Sequence, residues 1–141
     1  MNDMSSDLRV RTMRSQLSRA QGLGAAGSGV SHWWTERVTA IALVPLSGWF
    51  VVQVFRLAGS EHATVVRWGG KPVNATMLIA LMVLTFRHMQ LGLEVIVDDY
   101  VHGRAHLPVR LAIKVGALLL GLFAVLAVIR LMFASARAPA A

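Results

Sequence analysis

His88, Asp99 and Tyr100 are the residues of this 141-residue chain whose types and spacing best suit chemistry. At about 100° per residue on a helix, the eleven steps from His88 return Asp99 to within about 20° of the same direction. His88, Gly92, Val95 and Asp99 therefore share one helix face. Along that face Asp99 lies about 16–17 Å from His88. If the helix crosses a bilayer, His88 sits near mid-membrane and Asp99 and Tyr100 at its boundary. Gly92, one turn from His88, leaves a notch where a flat macrocycle can lie, so one reading of His88 is an axial haem ligand with the cofactor held between helices. The plainer reading is a membrane histidine that hydrogen-bonds another helix. A bis-histidine iron would take its second ligand from another polypeptide, because His88 is the only histidine deep in a span. Tyr100 offers a phenolic donor at the rim of an apolar cleft, which suits a quinone carbonyl, with Asp99 to orient it or supply protons. The plainer reading is an interfacial tyrosine beside solvated acids, although two acids at a helix C-terminus oppose the macrodipole. Arg87 and Glu94 lie on a neighbouring face. Glu94 reads as half of an ion pair with a partner helix, and Arg87 as pairing with a cofactor carboxylate or a partner's acid.

These side chains need helices that cross a membrane, and the composition supplies them. The chain is 55% hydrophobic and 15% charged, with a mean hydropathy of +0.57, against about 45–50% and 25% in soluble domains. Three apolar stretches approach the roughly 20 residues a transmembrane helix needs: about 38–56, 75–98 and 109–133. The expected fold is an all-α membrane protein whose three transmembrane helices form part of a helical bundle with a partner, since the polar residues of the second span must face something other than lipid. A basic tail, residues 1–31, precedes the three-span region at 32–133, and residues 134–141 form a C-terminal tail. Leu8, Met13 and Leu17 suit a short surface helix in the first tail. His32, Trp33 and Trp34 fall just before the first span, where tryptophan marks the membrane boundary. Gly-Gly and Lys-Pro near residues 69–72, and the DDYVHGRAHLP segment, mark the two loops.

Eight Lys and Arg fall on the side of the N-terminal tail and second loop, the latter counted with Arg104, Arg110 and Lys114, and five on the other. The positive-inside rule then puts the N-terminus in the cytoplasm. The tail lacks the apolar stretch of a secretory signal. It is rich in arginine and poor in acids, as a mitochondrial transit peptide is, but a bacterial inner-membrane protein is the preferred reading over a mitochondrial one. The absence of cysteine excludes disulfides, thiolate-held zinc or iron–sulfur sites, and a thiol nucleophile. A net charge of +7 points to anionic lipid headgroups rather than nucleic acid.

The segments GSGVSHWWTERVTAIALVPL and RHMQLGLEVIVDDYVHG together resemble the small hydrophobic membrane-anchor subunit of succinate dehydrogenase, in its alphaproteobacterial and mitochondrial-like form. The resemblance spans about residues 22–133. It implies a complex of this chain with a large cytochrome b anchor, an iron–sulfur subunit and a flavoprotein, which passes electrons from succinate to ubiquinone in the tricarboxylic acid cycle. It also implies site roles. His88 matches the axial ligand of haem b, Tyr100 a donor to ubiquinone, and Asp99 its acidic neighbour. Arg37 matches an arginine at the haem propionates. His32 stands one residue later, relative to Arg37, than the corresponding histidine of the enterobacterial pattern, which puts a propionate role for it in question. Arg87 has no counterpart there. Such a chain has no catalytic residue of its own. The other readings are a fumarate reductase anchor, a small transporter or proton channel using Arg87 and Glu94, and a holin-like pore former.

Overall fold

The computed structural model describes residues 27–137, with side-chain surroundings given from residue 29 onward. The proposed surface helix around Leu8, Met13 and Leu17 lies outside the described residues. The described residues hold four α-helices: α1 (Gly27–Leu57), α2 (His62–Gly70), α3 (Pro72–Tyr100) and α4 (His106–Arg137). A short 3-10 turn, Gly103–Ala105, leads into α4. Three of the helices, α1, α3 and α4, are long and apolar enough to cross a membrane.

The breaks between helices follow from the local sequence. Gly59 and Gly103 take φ of +80° and +74°, a left-handed conformation that glycine adopts without the steric penalty of a Cβ. Lys71 is extended, and Pro72 opens α3 at its first turn, where its missing N–H costs nothing. The DDYVHGRAHLP segment is only partly a loop, because α3 runs through Tyr100 and α4 starts at His106.

The helices also extend beyond the stretches that hydropathy marks. α1 begins at Gly27, so His32, Trp33, Trp34 and Arg37 sit on the first helix rather than ahead of it. α4 continues to Arg137, into the segment read as a C-terminal tail. Within the first loop lies α2, a nine-residue helix too short to register as a span.

α3 is central, with α4 packed along one side and α1 along the other, while α2 lies across the far ends of α3 and α4. The α2–α4 crossing is very close. A Cβ built on Gly69 meets the Leu131 side chain, and one on Gly70 meets that of Ser135. Trp68 of α2 stacks on Trp49 of α1, with ring centroids 5.9 Å apart, and Asn74 donates to the Trp68 carbonyl at 2.7 Å. The buried core is thin and belongs mainly to α3: Ala75, Leu78, Leu81, Leu91 and Val97, with Ala117 of α4. Broad apolar faces stay uncovered within the chain, including Ile41, Val44 and Phe55 of α1 and Leu118 and Phe123 of α4. Those faces suit lipid tails or other helices.

Candidate functional site

His88 projects from α3 toward α1 and is half-buried. Its Nδ1 lies 3.1 Å from the hydroxyl of Thr39, the one residue of α1 that is buried among those described. The same hydroxyl oxygen is 2.9 Å from the Thr35 carbonyl and 2.9 Å from the Glu36 carbonyl. Oxygen atoms this close repel unless a proton lies between them, and a hydroxyl has only one. That proton is committed to the backbone, in the back-bonded arrangement common for threonine in helices. Nδ1 of His88 therefore carries its own proton and donates to Thr39 Oγ1. The tautomer leaves Nε2 with a lone pair, and no hydrogen bond engages Nε2 among the described residues.

That lone pair suits a ligand from outside the described residues. Gly92 follows one turn later, and a Cβ built on it meets nothing within 4 Å. The notch is open. Among the described residues there is no group of three or more His, Cys, Asp and Glu able to cage a bare metal ion. A haem iron needs no such cage, because the macrocycle supplies four nitrogens and the protein only the axial positions. A single imidazole with an open notch one turn along its helix fits that requirement.

At the end of α3 nearest Tyr100, six side chains from three helices form a polar clasp. Glu94, 3% exposed, accepts from Gln90 Nε2 at 2.7 Å and from Arg110 of α4 at 3.2 Å. His32 of α1 approaches the same carboxylate at 4.0 Å. Arg110 also reaches Asp98 at 3.2 Å, and His106 Nε2 lies 2.9 Å from that oxygen. Glu94 is thus paired inside its own chain, not across to a partner helix, and every polar atom of the clasp that is fully buried has a partner. Next to the clasp is a cleft of about 560 Å³, lined by His32, Trp33, Glu36, Val95, Asp99 and Arg110 among others. Asp99 and Val95 line it from the same α3 face as His88, as the spacing predicts.

The remaining sequence candidates separate. Tyr100 is 80% exposed and outside that cleft. Arg37 is exposed and lies over the Trp33 ring, 5.5 Å from its centroid. His32 turns inward to Glu94 instead of outward with Arg37. Arg87 is exposed and makes no contact with Glu94, its supposed companion on the neighbouring face. The sequence reading missed Thr39 and Arg110. Thr39 lies in an otherwise apolar run, and Arg110 was counted with the second loop, although its spacing of four from His106 would have put both on one face of α4.

The family model described as succinate dehydrogenase/fumarate reductase transmembrane subunit matches residues 11–129. A succinate dehydrogenase hydrophobic membrane anchor subunit of Rickettsia bellii is 33% identical over 90 residues, covering 62% of this chain and 70% of that protein. One from Paracoccus denitrificans is 31% identical over 84 residues, covering 60% and 65%. The succinate dehydrogenase membrane anchor subunit of Reclinomonas americana is 32% identical over 79 residues, covering 54% and 66%. No solved structure matches the chain. A transporter centred on Arg87 and Glu94 is not favoured, since Glu94 is already enclosed by Gln90 and Arg110 and the two side chains do not meet. Three membrane-length helices and a family match over most of the sequence lead to one assignment: the chain belongs to the succinate dehydrogenase/fumarate reductase transmembrane subunit family.

Proposed function

We propose that this chain is the small membrane anchor of a succinate:ubiquinone oxidoreductase, and that it helps bind haem b and ubiquinone. The observation that carries the reading is the Thr39–His88 hydrogen bond. It fixes the imidazole as the tautomer an iron requires and orients the ring, the part that outer hydrogen bonds play at metal-bound histidines. Haem b, when bound, supplies a one-electron carrier inside the bilayer. His88 would hold it through a ring nitrogen, and the notch at Gly92 would leave it room. The large cytochrome b anchor subunit would supply a second residue to hold it. Arg37, free to swing from the Trp33 ring, provides a cation for the propionates at the membrane boundary. His32 is better placed to complete the clasp on Glu94 than to meet a propionate.

Ubiquinone takes up two electrons, delivered singly through the iron–sulfur subunit from the flavoprotein, and two protons. Tyr100 points away from this chain, which suits a headgroup site completed by other subunits, with its phenol donating to a quinone carbonyl. Asp99 lines the polar cleft and can pass protons from the aqueous side toward that site. By the positive-inside count this side is the cytoplasm of a bacterial cell. The similarity to anchor subunits named for succinate dehydrogenase supports this direction of chemistry.

The test is a dithionite-reduced minus oxidised spectrum of the detergent-solubilised complex, isolated through a tag on this chain. The native complex should show a sharp low-spin b-type band. His88→Ala should lose or shift it. Tyr100→Phe should keep it while quinone reduction falls. A flat spectrum from native complex, with no flavoprotein or iron–sulfur chromophore co-purifying, overturns the reading.

A further inference from the structure

Arg87 is exposed in this chain and has neither an ion pair nor a hydrogen bond among the described residues. It lies thirteen residues before Tyr100 and fifteen after Pro72, so roughly 20 Å from either end of α3. The hydrocarbon half-thickness is about 15 Å. A guanidinium starting near the middle of the span is poorly placed to reach headgroups or water, and a lone cation at this depth is strongly disfavoured. Its counter-charge does not come from α3. Glu94 is buried and held by Gln90 and Arg110. Asp98, eleven residues away, is held by Arg110 and His106. A second copy of the chain could bring only Glu36 near this depth, and that side chain lines its own cleft together with Arg110.

Arg87 lines a groove of about 320 Å³ between α3 and α4, with Val83, Phe86, Leu118 and Leu122 among its walls. Gly121 sits close beneath Phe86, where an added Cβ would come within 3.4 Å, and Leu118 and Leu122 stand exposed one turn apart beside it. Around α3, the five steps from Arg87 to Gly92 turn through about 140°. The groove therefore opens away from the notch beside His88, and haem there leaves it unfilled. Lipid tails would cover the leucines but leave the guanidinium unpaired.

We propose that this α3–α4 groove receives a transmembrane helix of another polypeptide, one that carries an Asp or Glu at the depth of Arg87 and pairs with it inside the bilayer. The inference needs only that the chain spans the membrane, and it stands apart from the haem and quinone assignments.

A photo-reactive benzoylphenylalanine placed at Leu118 tests it in intact membranes, with cross-linked peptides mapped by mass spectrometry after capture through a tag on this chain. The expected product joins Leu118 to a transmembrane segment that has an acid within one turn of the contact. Arg87→Met should lower its yield by at least about tenfold, because the acid is left buried and unpaired. Arg87→Lys should retain it. Replacing the mapped acid by Leu in the Arg87→Met background should restore it, since removing both charges of a buried pair is close to neutral. Cross-links confined to lipid, to this chain or to a helix without an acid overturn the proposal. So does an Arg87→Met yield equal to the native one, an Arg87→Lys yield as low as that of Met, or a Leu replacement that fails to rescue.

Discussion

Replacing Thr39 by Val removes one oxygen and keeps the side-chain shape, so its effect isolates the hydrogen bond to His88. In the native arrangement Oγ1 gives its proton to the Thr35 and Glu36 carbonyls and accepts from Nδ1 at 3.1 Å. With Val in place, the half-buried Nδ1–H loses its acceptor, a cost of roughly 1–3 kcal/mol. The imidazole can escape that cost by moving the proton to Nε2, which removes the lone pair an iron would use, or by rotating, which misdirects it. Outer partners of metal-bound histidines typically contribute 10–100-fold to affinity, or about 1.4–2.8 kcal/mol. Haem content per flavin, measured by pyridine haemochrome on complex assembled under limiting haem, should therefore fall by that order in Thr39→Val. Thr39→Ser keeps the hydroxyl and should stay near the native value. If Thr39→Val binds haem with native affinity and an unchanged midpoint potential, the tautomer argument is wrong, and His88 is held by something other than Thr39.

Two further substitutions probe the frame. Arg110→Met leaves the buried Glu94 with only Gln90 and a distant His32, and should destabilise the detergent-solubilised protein by about 2–3 kcal/mol, the low side of the cost of breaking a buried pair because Arg110 is itself one-third exposed. Adding Glu94→Gln should recover most of that loss in thermal denaturation, whereas simple additivity of the two changes would show that the pair does not couple. Gly70→Ala drives a methyl into Ser135 and should cost about 1–3 kcal/mol by overpacking. Ser135→Gly in the same chain should relieve it, and a thermal midpoint unchanged by Gly70→Ala alone would mean that α2 can lift off α4 freely.

The residues that could be read from sequence were those whose signal is local. Runs of apolar residues announced α1, α3 and α4, and the Gly and Pro positions marked the breaks between them. The common face of His88, Val95 and Asp99 followed from helix periodicity alone. Features that depend on distant contacts were silent. The helix α2 is short and carries no long apolar run, and its glycines look like loop residues until Leu131 and Ser135 are seen against them. Thr39 reads as a neutral residue in a membrane segment, because its partner is 49 positions away. The helix that pairs with Glu94 could not be named because Arg110 was grouped with the loop, although one chain reversal brings them to 3.2 Å. α1 also begins before its apolar run, at Gly27. SHWWTER is polar enough to resemble a boundary, yet it continues the helix and lends His32, Trp33 and Glu36 to the cleft.

The thin attachment of α1 bears on how such a subunit matures. Among the described residues only Thr39 of that helix is buried, whereas α3 and α4 share a long contact and most of the charged clasp. A helix held this lightly gains its residence from whatever binds against it, by mass action. If neighbouring subunits pack against α1, its place on the α3–α4 hairpin would depend on them more than that of any other spanning helix. Thr39, which touches His88, rides on that same helix, so the setting of the imidazole would follow the state of assembly.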